Sequence, residues 1–406
     1  MIKTGLGTRM RGSDIGFDPV YLLLVLTLLV FGLITVASSS WGASYELSPN
    51  HSVWYLFLRQ LAWAAVGLLL LFVTFRLDYH RWQPWALPVG LITIVLLVVV
   101  VILNWNGPIR RGLFAESVQA SEVAKFATVI YLGVWLVSKA KVLDSLSLGM
   151  IPYAVLIGLF AGLILLEPDL SAAATIVLIG MAMFFFGGGS YRNVTAATVT
   201  MVAGGVLVAM LLRPARIEQY LAGWKDIRES NLQLLEALSA ISSGGLVGVG
   251  AGASKFKYFS LPAAHTDSVF AVISEELGFL GALVVLALFA VLVWRGYRIA
   301  LRAPDSLGLI FAAGFTTWIA AEALINVLTI LALLPFAGNP LPFFSYGGSN
   351  LVMTLAATGI VLNVSRTSHA RRKEEMTNAG ADQRWRYGRG DFPRARSSPG
   401  SSPKRP

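Results

Sequence analysis

Long apolar runs separated by short polar connections dominate the pattern along this chain. Ten of them, at approximately 18–38, 53–75, 84–104, 120–138, 149–166, 171–187, 194–212, 268–294, 307–334 and 350–364, lie near the length of about 20 residues that carries a helix across a hydrocarbon core of roughly 30 Å. The pattern predicts an all-α polytopic membrane protein of ten transmembrane helices occupying 17–365. A short polar segment, 1–16, precedes them, and a polar tail, 366–406, follows. The longest connection, 213–267, falls between the seventh and eighth runs. The first run is too long for a signal-peptide core and lacks a clean small-residue cleavage site, so it is expected to stay as an anchor.

Charge sets the orientation. With the N-terminus inside, Lys3, Arg9 and Arg11, then Arg76 and Arg81, Lys139 and Lys141, Arg192, Arg295, Arg298 and Arg302, and finally Arg366, Arg371, Arg372 and Lys373 all fall on the cytoplasmic side, as the positive-inside rule requires. The C-terminus is then also inside, and 213–267 faces outward. Composition agrees: 56% of residues are apolar and 13% charged, too little polar surface for a soluble domain of 406 residues. The tail holds eleven Lys/Arg against four Asp/Glu, so +7 of the net +10 sits there. Rich in Ser, Pro, Gly and Arg, it is expected to be disordered. Anionic membrane lipids are its simplest partner, at about 1 kcal/mol per charge near the surface; no recognition module supports nucleic acid. The chain has no cysteine and four scattered histidines, which excludes disulfides and thiol nucleophiles and leaves no legible metal cluster or organic cofactor site.

Ionisable groups within apolar runs are costly and usually face a partner or a wet cavity. Glu122 and Lys125, three apart in the fourth run, share a helical face. Glu275 and Glu276 follow Asp267 by eight and nine residues, roughly 12–14 Å deeper along a helix. Glu322 and Asn326 share a face of the ninth run. Each reads equally as a packing pair; together they suggest a polar cavity. The segment Ser242 to Gly252 is glycine-dense but matches no nucleotide fingerprint and reads first as a flexible or interfacial turn. Around it, Arg213, Arg216, Lys225, Arg228, Lys255 and Lys257 place positive charge where the rule predicts little, which an anionic ligand outside the membrane would explain. Asp267, at the mouth of the eighth run, reads either as a helix N-cap or as a reactive carboxylate.

Four segments carry a resemblance. Lys257 to Gly278 with His265-Thr266-Asp267-Ser268, Leu341 to Ser349, Gln119 to Lys125 and Glu167-Pro168-Asp169-Leu170 resemble, in the expected order, the signature elements of the SEDS family (shape, elongation, division and sporulation). The likeness covers the chain up to its tail and favours the family's division member over its elongation member. Departures from the family pattern stand at Arg111, Ala120, Ala263, Ser268, Leu328, Ala332 and Asn350.

The resemblance implies a peptidoglycan glycosyltransferase that polymerises lipid II at the outer face of the bacterial plasma membrane, at the division septum, alongside a class B penicillin-binding protein and other divisome or elongasome proteins. It marks Asp267 as the catalytic base, a role that suits a carboxylate within reach of a sugar hydroxyl. It assigns Arg110, Lys125, Arg213, Arg216, Lys255, His265, Ser345 and Ser349 to substrate or pyrophosphate, and Glu122, Asp169, Glu275 and Glu276 to supporting the cavity. A divalent cation, Mg or Mn, held by Glu122 or Asp267, could assist the departing pyrophosphate. An elongation-type polymerase, a lipid II flippase with a cavity open to both sides, and a non-catalytic scaffold are the rival readings.

Overall fold

The computed structural model describes residues 16–104, 112–113, 118–167, 169–212, 214–226, 230–335 and 338–388, with some side chains among them left out. It is helical apart from a two-residue antiparallel ladder between β1 (Gly112–Leu113) and β2 (Val118–Gln119). The helices are α1 (Pro19–Ser39), α2 (Trp41–Leu47), α3 (Tyr55–Arg76), α4 (Ala86–Asn104), α5 (Ala120–Lys139), α6 (Ile151–Leu166) and α7 (Leu170–Phe186). They continue with α8 (Tyr191–Leu212), α9 (Pro214–Lys225), α10 (Leu232–Gly244), α11 (Phe256–Phe259), α12 (Val269–Ala300), α13 (Ser306–Ile330) and α14 (Gly348–Gly388). Among the described residues eight helices are long and apolar enough to cross a membrane, and α7 is a shorter apolar one.

Short acidic side chains start several helices by accepting from backbone N–H groups that the helix cannot pair. Asp18 accepts from Tyr21 ahead of Pro19, Asp169 from Ala172, and Asp305 from Gly308. Within the bundle α13 is the hub, packed against α5, α7, α12 and α14, while α14 lies along α3. Leu68, Leu69 and Phe72 on α3 and Leu91, Ile92 and Val95 on α4 face outward, as expected of helices that meet lipid.

The structure differs from the sequence expectation in two places. The tail was expected to be unstructured from 366, but α14 runs on to Gly388; the polar stretch Thr367–Glu375 is helix-compatible and simply continues an already nucleated helix, which costs no new first turn. Residues 389–406 lie outside the described residues.

The second difference is the glycine-rich segment, which is docked rather than loose. α12 breaks at Gly278, whose φ of 69° and ψ of −172° suit essentially glycine alone. The break strands backbone groups that must find partners away from water. Val249 and Gly250 N–H donate to the carbonyls of Glu275 and Glu276 (both 3.0 Å), and Phe279 and Leu280 N–H donate to those of Gly245 (2.9 Å) and Leu246 (3.1 Å). A side chain at Gly248 would overlap the Glu276 carbonyl and the Gly278 nitrogen, so close backbone approach is what the glycines provide.

Candidate active site

Asp267 sits in a tight turn just before α12. Ala263, with φ of 51°, lets its carbonyl accept from both Thr266 (3.1 Å) and Ser268 N–H (3.2 Å). Gln233 of α10 donates to Ser268 Oγ (2.8 Å) and to the Pro262 carbonyl (3.2 Å). The N-cap of α12 is Ser268, with no side-chain cap bond of its own.

Three successive carbonyls anchor this turn. The His265 oxygen accepts from Tyr346 N–H (2.7 Å), the Thr266 oxygen from Ser345 Oγ (2.6 Å), and the Asp267 oxygen from Asn326 Nδ2 of α13 (2.9 Å). Ser345 Oγ also accepts from Leu341 N–H (2.8 Å), and its carbonyl accepts from Gln60 of α3 (3.2 Å). The backbone is therefore fixed, and Asp267 is only partly buried. Gly338 lies against the carboxylate so closely that a Cβ there would collide with it.

A continuous hydrogen-bonded circuit leads away from that contact. Ser171 Oγ lies within hydrogen-bond distance of the Gly338 carbonyl (3.1 Å) and of Asp169 Oδ1 (2.9 Å), and its one proton serves either acceptor. Asp169 Oδ2 accepts from Gln119 Nε2 (3.1 Å) and Ser121 Oγ (3.2 Å), and Gln119 N–H donates to Ser349 Oγ (3.1 Å). On the other side, Asn326 Nδ2 also reaches the Asn339 carbonyl (2.5 Å), and Asn339 Nδ2 reaches that of Glu322 (2.8 Å).

The two arms meet at a buried ionic cluster. Lys125, 1% exposed, donates to Glu122 Oε1 (2.8 Å) and Glu322 Oε1, with its ammonium 5.5 Å from the Trp318 ring centroid. Asn350 Nδ2 bridges Glu122 Oε2 (3.0 Å) and Glu322 Oε2 (3.1 Å). The departure from Ser at 350 thus supplies a donor that a hydroxyl could not share between two carboxylates.

The structure brings together Asp267, Asp169, Ser345, Ser349, Glu122 and Lys125 as expected residues of one end of the bundle. It changes how two of them work. Lys125 is enclosed by two carboxylates instead of being open to an incoming anion, and Ser345 is a clamp on the Asp267 turn. His265 is partly buried, which lowers its imidazole below the ordinary value, so near pH 7 it offers a hydrogen bond without a charge.

Glu275 and Glu276 take the glycine-rich segment as their partner. Glu275 accepts from Ser254 Oγ and Lys255 N–H (2.9 Å), leaving the Lys255 side chain exposed. Glu276 pairs with Lys257 (2.6 Å) and accepts from Ser38 of α1 (2.8 Å). Arg110 and Arg213 lie outside the described residues, and the Arg216 side chain is likewise not described.

Sequence reasoning missed Gly338, Asn339, Ser171 and Gln233 as members of the site or its supports, and it set Lys257 toward an anionic ligand where the structure pairs it with Glu276. Asn339 carried a usable signal, a polar residue in Gly338-Asn339-Pro340 beside an apolar turn; Lys257 gave none that marked it apart from its basic neighbours. As for a cation, Glu122 has both oxygens engaged, and among the described residues no three His, Cys, Asp or Glu side chains converge on one point. Glu122 is thus already engaged, and a Mg or Mn ion held by Asp267 would have to take its other oxygens from pyrophosphate and water.

The comparisons with known proteins agree with this geometry. The family described as "Cell cycle protein", comprising FtsW, RodA and SpoVE, matches residues 19–370. Stage V sporulation protein E of Bacillus subtilis is 37% identical over 361 residues, 86% of this chain and 97% of that protein. "Probable peptidoglycan glycosyltransferase FtsW" of Trichlorobacter lovleyi is 36% identical over 359 residues, 86% of this chain and 93% of that one. Among solved structures, a chain of a peptidoglycan synthase complex studied for its coordination of polymerization and crosslinking superposes with a TM-score of 0.69 at 27% identity, covering 87% of this chain and 99% of its own. A match of this extent, with the four motif segments converging on one site, makes this multi-pass membrane protein a member of the FtsW/RodA/SpoVE family.

Proposed function

We propose that this protein is a peptidoglycan glycosyltransferase that polymerises lipid II, with Asp267 as the general base. The observation that carries the reading is the Asp267 turn: its backbone is held at three consecutive carbonyls, and Asp267, just before α12, is only partly buried. A base must be rigidly placed yet reachable. In the proposed step the acceptor sugar's 4-hydroxyl gives its proton to Asp267 while its oxygen bonds to the donor's anomeric carbon. The anomeric C–O bond breaks on the opposite face, and its electron pair leaves with undecaprenyl pyrophosphate, inverting the anomeric configuration. Arg110, Arg213, Arg216 and Lys255 are the proposed cations for that leaving group; Lys125 acts as a positioning residue.

The fuller topology belongs to the same proposal: ten spans, both termini cytoplasmic, and Asp267 at the outer face of the plasma membrane. The curated relatives called FtsW favour septal synthesis, and the likeness to a chain of a synthase complex favours a class B penicillin-binding protein as partner. The test is to incubate the purified chain with lipid II, alone and with the cognate class B protein, and to analyse the product. Glycan polymer with inverted linkages is expected, and more of it with the partner. No polymer under either condition would remove the reading.

A further inference from the structure

At the end of α12 remote from Asp267, beyond the break at Gly278 in this 32-residue helix, a second polar feature is not used by the proposed chemistry. The C-terminal turns of α12, the N-cap of α1 and the extension of α14 enclose an open-mouthed cavity of about 30 Å³ lined by Arg298, Arg302, Arg372, His369, Ser365 and Ser368, with Asp18 at its edge. Asp18 is already occupied, since Oδ2 accepts from Arg295 Nε (2.7 Å) and Oδ1 from Tyr21 N–H. Among the described residues, Arg298, Arg302 and Arg372 have no carboxylate within ion-pair distance. Desolvation first, and then the charges of Arg298, Arg372 and Arg295, hold Arg302 below its ordinary value. Three guanidinium groups therefore line one small space together with a singly charged Asp18 that also pairs with Arg295, which leaves positive charge in excess there.

The size and surroundings of the cavity narrow the occupant. One water needs about 10–15 Å³ on this scale, so the enclosed space takes two or three oxygen-sized groups, such as the exposed oxygens of one phosphate. Outside the mouth, Trp294 and Leu301 are 56% and 70% exposed, an apolar surface suited to a ligand whose remainder is hydrocarbon, with Trp294 of the type enriched at membrane interfaces. Planar guanidinium forks match phosphate oxygens in geometry as well as charge.

We propose that this pocket binds the headgroup phosphate of an anionic phospholipid, linking α14 beyond residue 365 to α12 and α1. A free phosphate ion shares the chemistry, and the experiment separates the two. Full-length protein in neutral detergent is titrated with phosphatidylglycerol, phosphatidylcholine or inorganic phosphate, and retained ligand is counted by native mass spectrometry. One phosphatidylglycerol per chain is expected to be retained in preference to phosphatidylcholine. Arg298→Gln/Arg372→Gln should weaken retention about tenfold or more, whereas Lys139→Gln/Lys141→Gln, which removes equal charge elsewhere, should change it little.

Equal loss in both double variants would overturn the proposal in favour of a diffuse field, as would equal retention of the two lipids. Displacement of the lipid by millimolar inorganic phosphate, or phosphate binding with the same arginine dependence, would overturn the lipid as occupant. Should the Arg298/Arg372 variant not fold, Arg302→Gln, on an exposed side chain, should reduce retention in the same direction, and its failure to do so overturns the proposal. The readout requires no glycan synthesis, so its outcome is independent of Asp267.

Discussion

Two groups of helices in this bundle differ in what surrounds them. The spans of α5, α13 and α14 are 72%, 78% and 83% buried with mean hydropathies of 1.4, 1.6 and 1.3, whereas those of α1, α3, α4 and α12 are 28–39% buried with mean hydropathies of 2.0–3.2. Polarity follows shielding. A charged or amide side chain facing hydrocarbon has no partner, while one facing other helices can be paired. Glu122, Lys125, Glu322, Asn326 and Asn350 all lie on the shielded group, and every one of them has a named partner.

α12 holds both situations in one helix. Before Gly278 every residue from Val269 to Glu276 is buried; after it, Phe279, Leu280, Leu283 and Val284 are exposed. The break at Gly278 is the boundary, because there the glycine-rich segment stops covering the helix and the remainder relies on its own apolar side chains. Site and anchor are therefore consecutive in sequence but differ in solvent.

Substitutions can break or sharpen this contrast. The largest effect is expected for Asp267→Asn, which should lower polymerisation of lipid II by about 10²–10⁴-fold while leaving the melting temperature nearly unchanged, since the amide is almost isosteric and the turn is held by backbone carbonyls. Wild-type turnover by this variant would exclude Asp267 as the base.

Next comes Lys125→Met. Removing the only cation between two enclosed carboxylates should destabilise the fold by about 3–5 kcal/mol, measured by thermal or denaturant unfolding in detergent. Lys125→Met combined with Glu122→Gln and Glu322→Gln should recover most of that loss. Replacing only Glu122 and Lys125 is not expected to be neutral, because Glu322 is a third member and would be left charged. A stable Lys125→Met single variant would mean that the shielded helices do not depend on pairing.

Gly338→Ala should act on turnover more than on stability. The new methyl group pushes the Asp267 carboxylate aside, and a displacement of about 1 Å can cost up to ~10²-fold in rate. Initial rates at saturating and limiting lipid II, compared with unfolding of the same sample, would show whether kcat falls while the fold holds.

A smaller, pH-dependent effect is expected at Glu167, in the turn between α6 and α7. Burial, and then the neighbouring Asp169, push its carboxyl up to about 8 from an ordinary 4.5, and its Oε1 has no hydrogen-bond partner. The native state thus keeps a proton that the unfolded chain releases near pH 4.5. Its contribution to stability is fullest below that value and is lost as pH rises through about 8. Glu167→Gln should flatten the melting temperature across this window; an unaltered slope would place the titration elsewhere. The smallest effect belongs to the lipid-facing side, where Leu283→Met should stay within about 0.5 kcal/mol of wild type.

The apolar runs, the paired Glu122 and Lys125 and the position of Asp267 at a helix mouth were all legible in the sequence, because each follows from local spacing. Run length reports whether a segment can cross hydrocarbon, and a separation of three reports a shared helical face. Glu322 as the second partner of Lys125, Gly338 against Asp267, and Lys257 beneath the glycine-rich segment were not legible. The first two pair residues far apart in the chain, 197 positions in the case of Lys125 and Glu322, and no local period encodes such a meeting. The helical course of residues 366–388 was likewise hidden by composition, since a polar segment can extend a helix that it could not start.

Sequence by itself determined that this chain lives in a membrane as a bundle of helices, because twenty-residue apolar runs have no other stable place to go. Tertiary structure alone decided which intramembrane charges neutralise one another and how the turn that carries Asp267 is held. The physical reason is that a buried charge is tolerated only when its partners converge in space, and convergence is a property of packed helices rather than of the residues along any one of them.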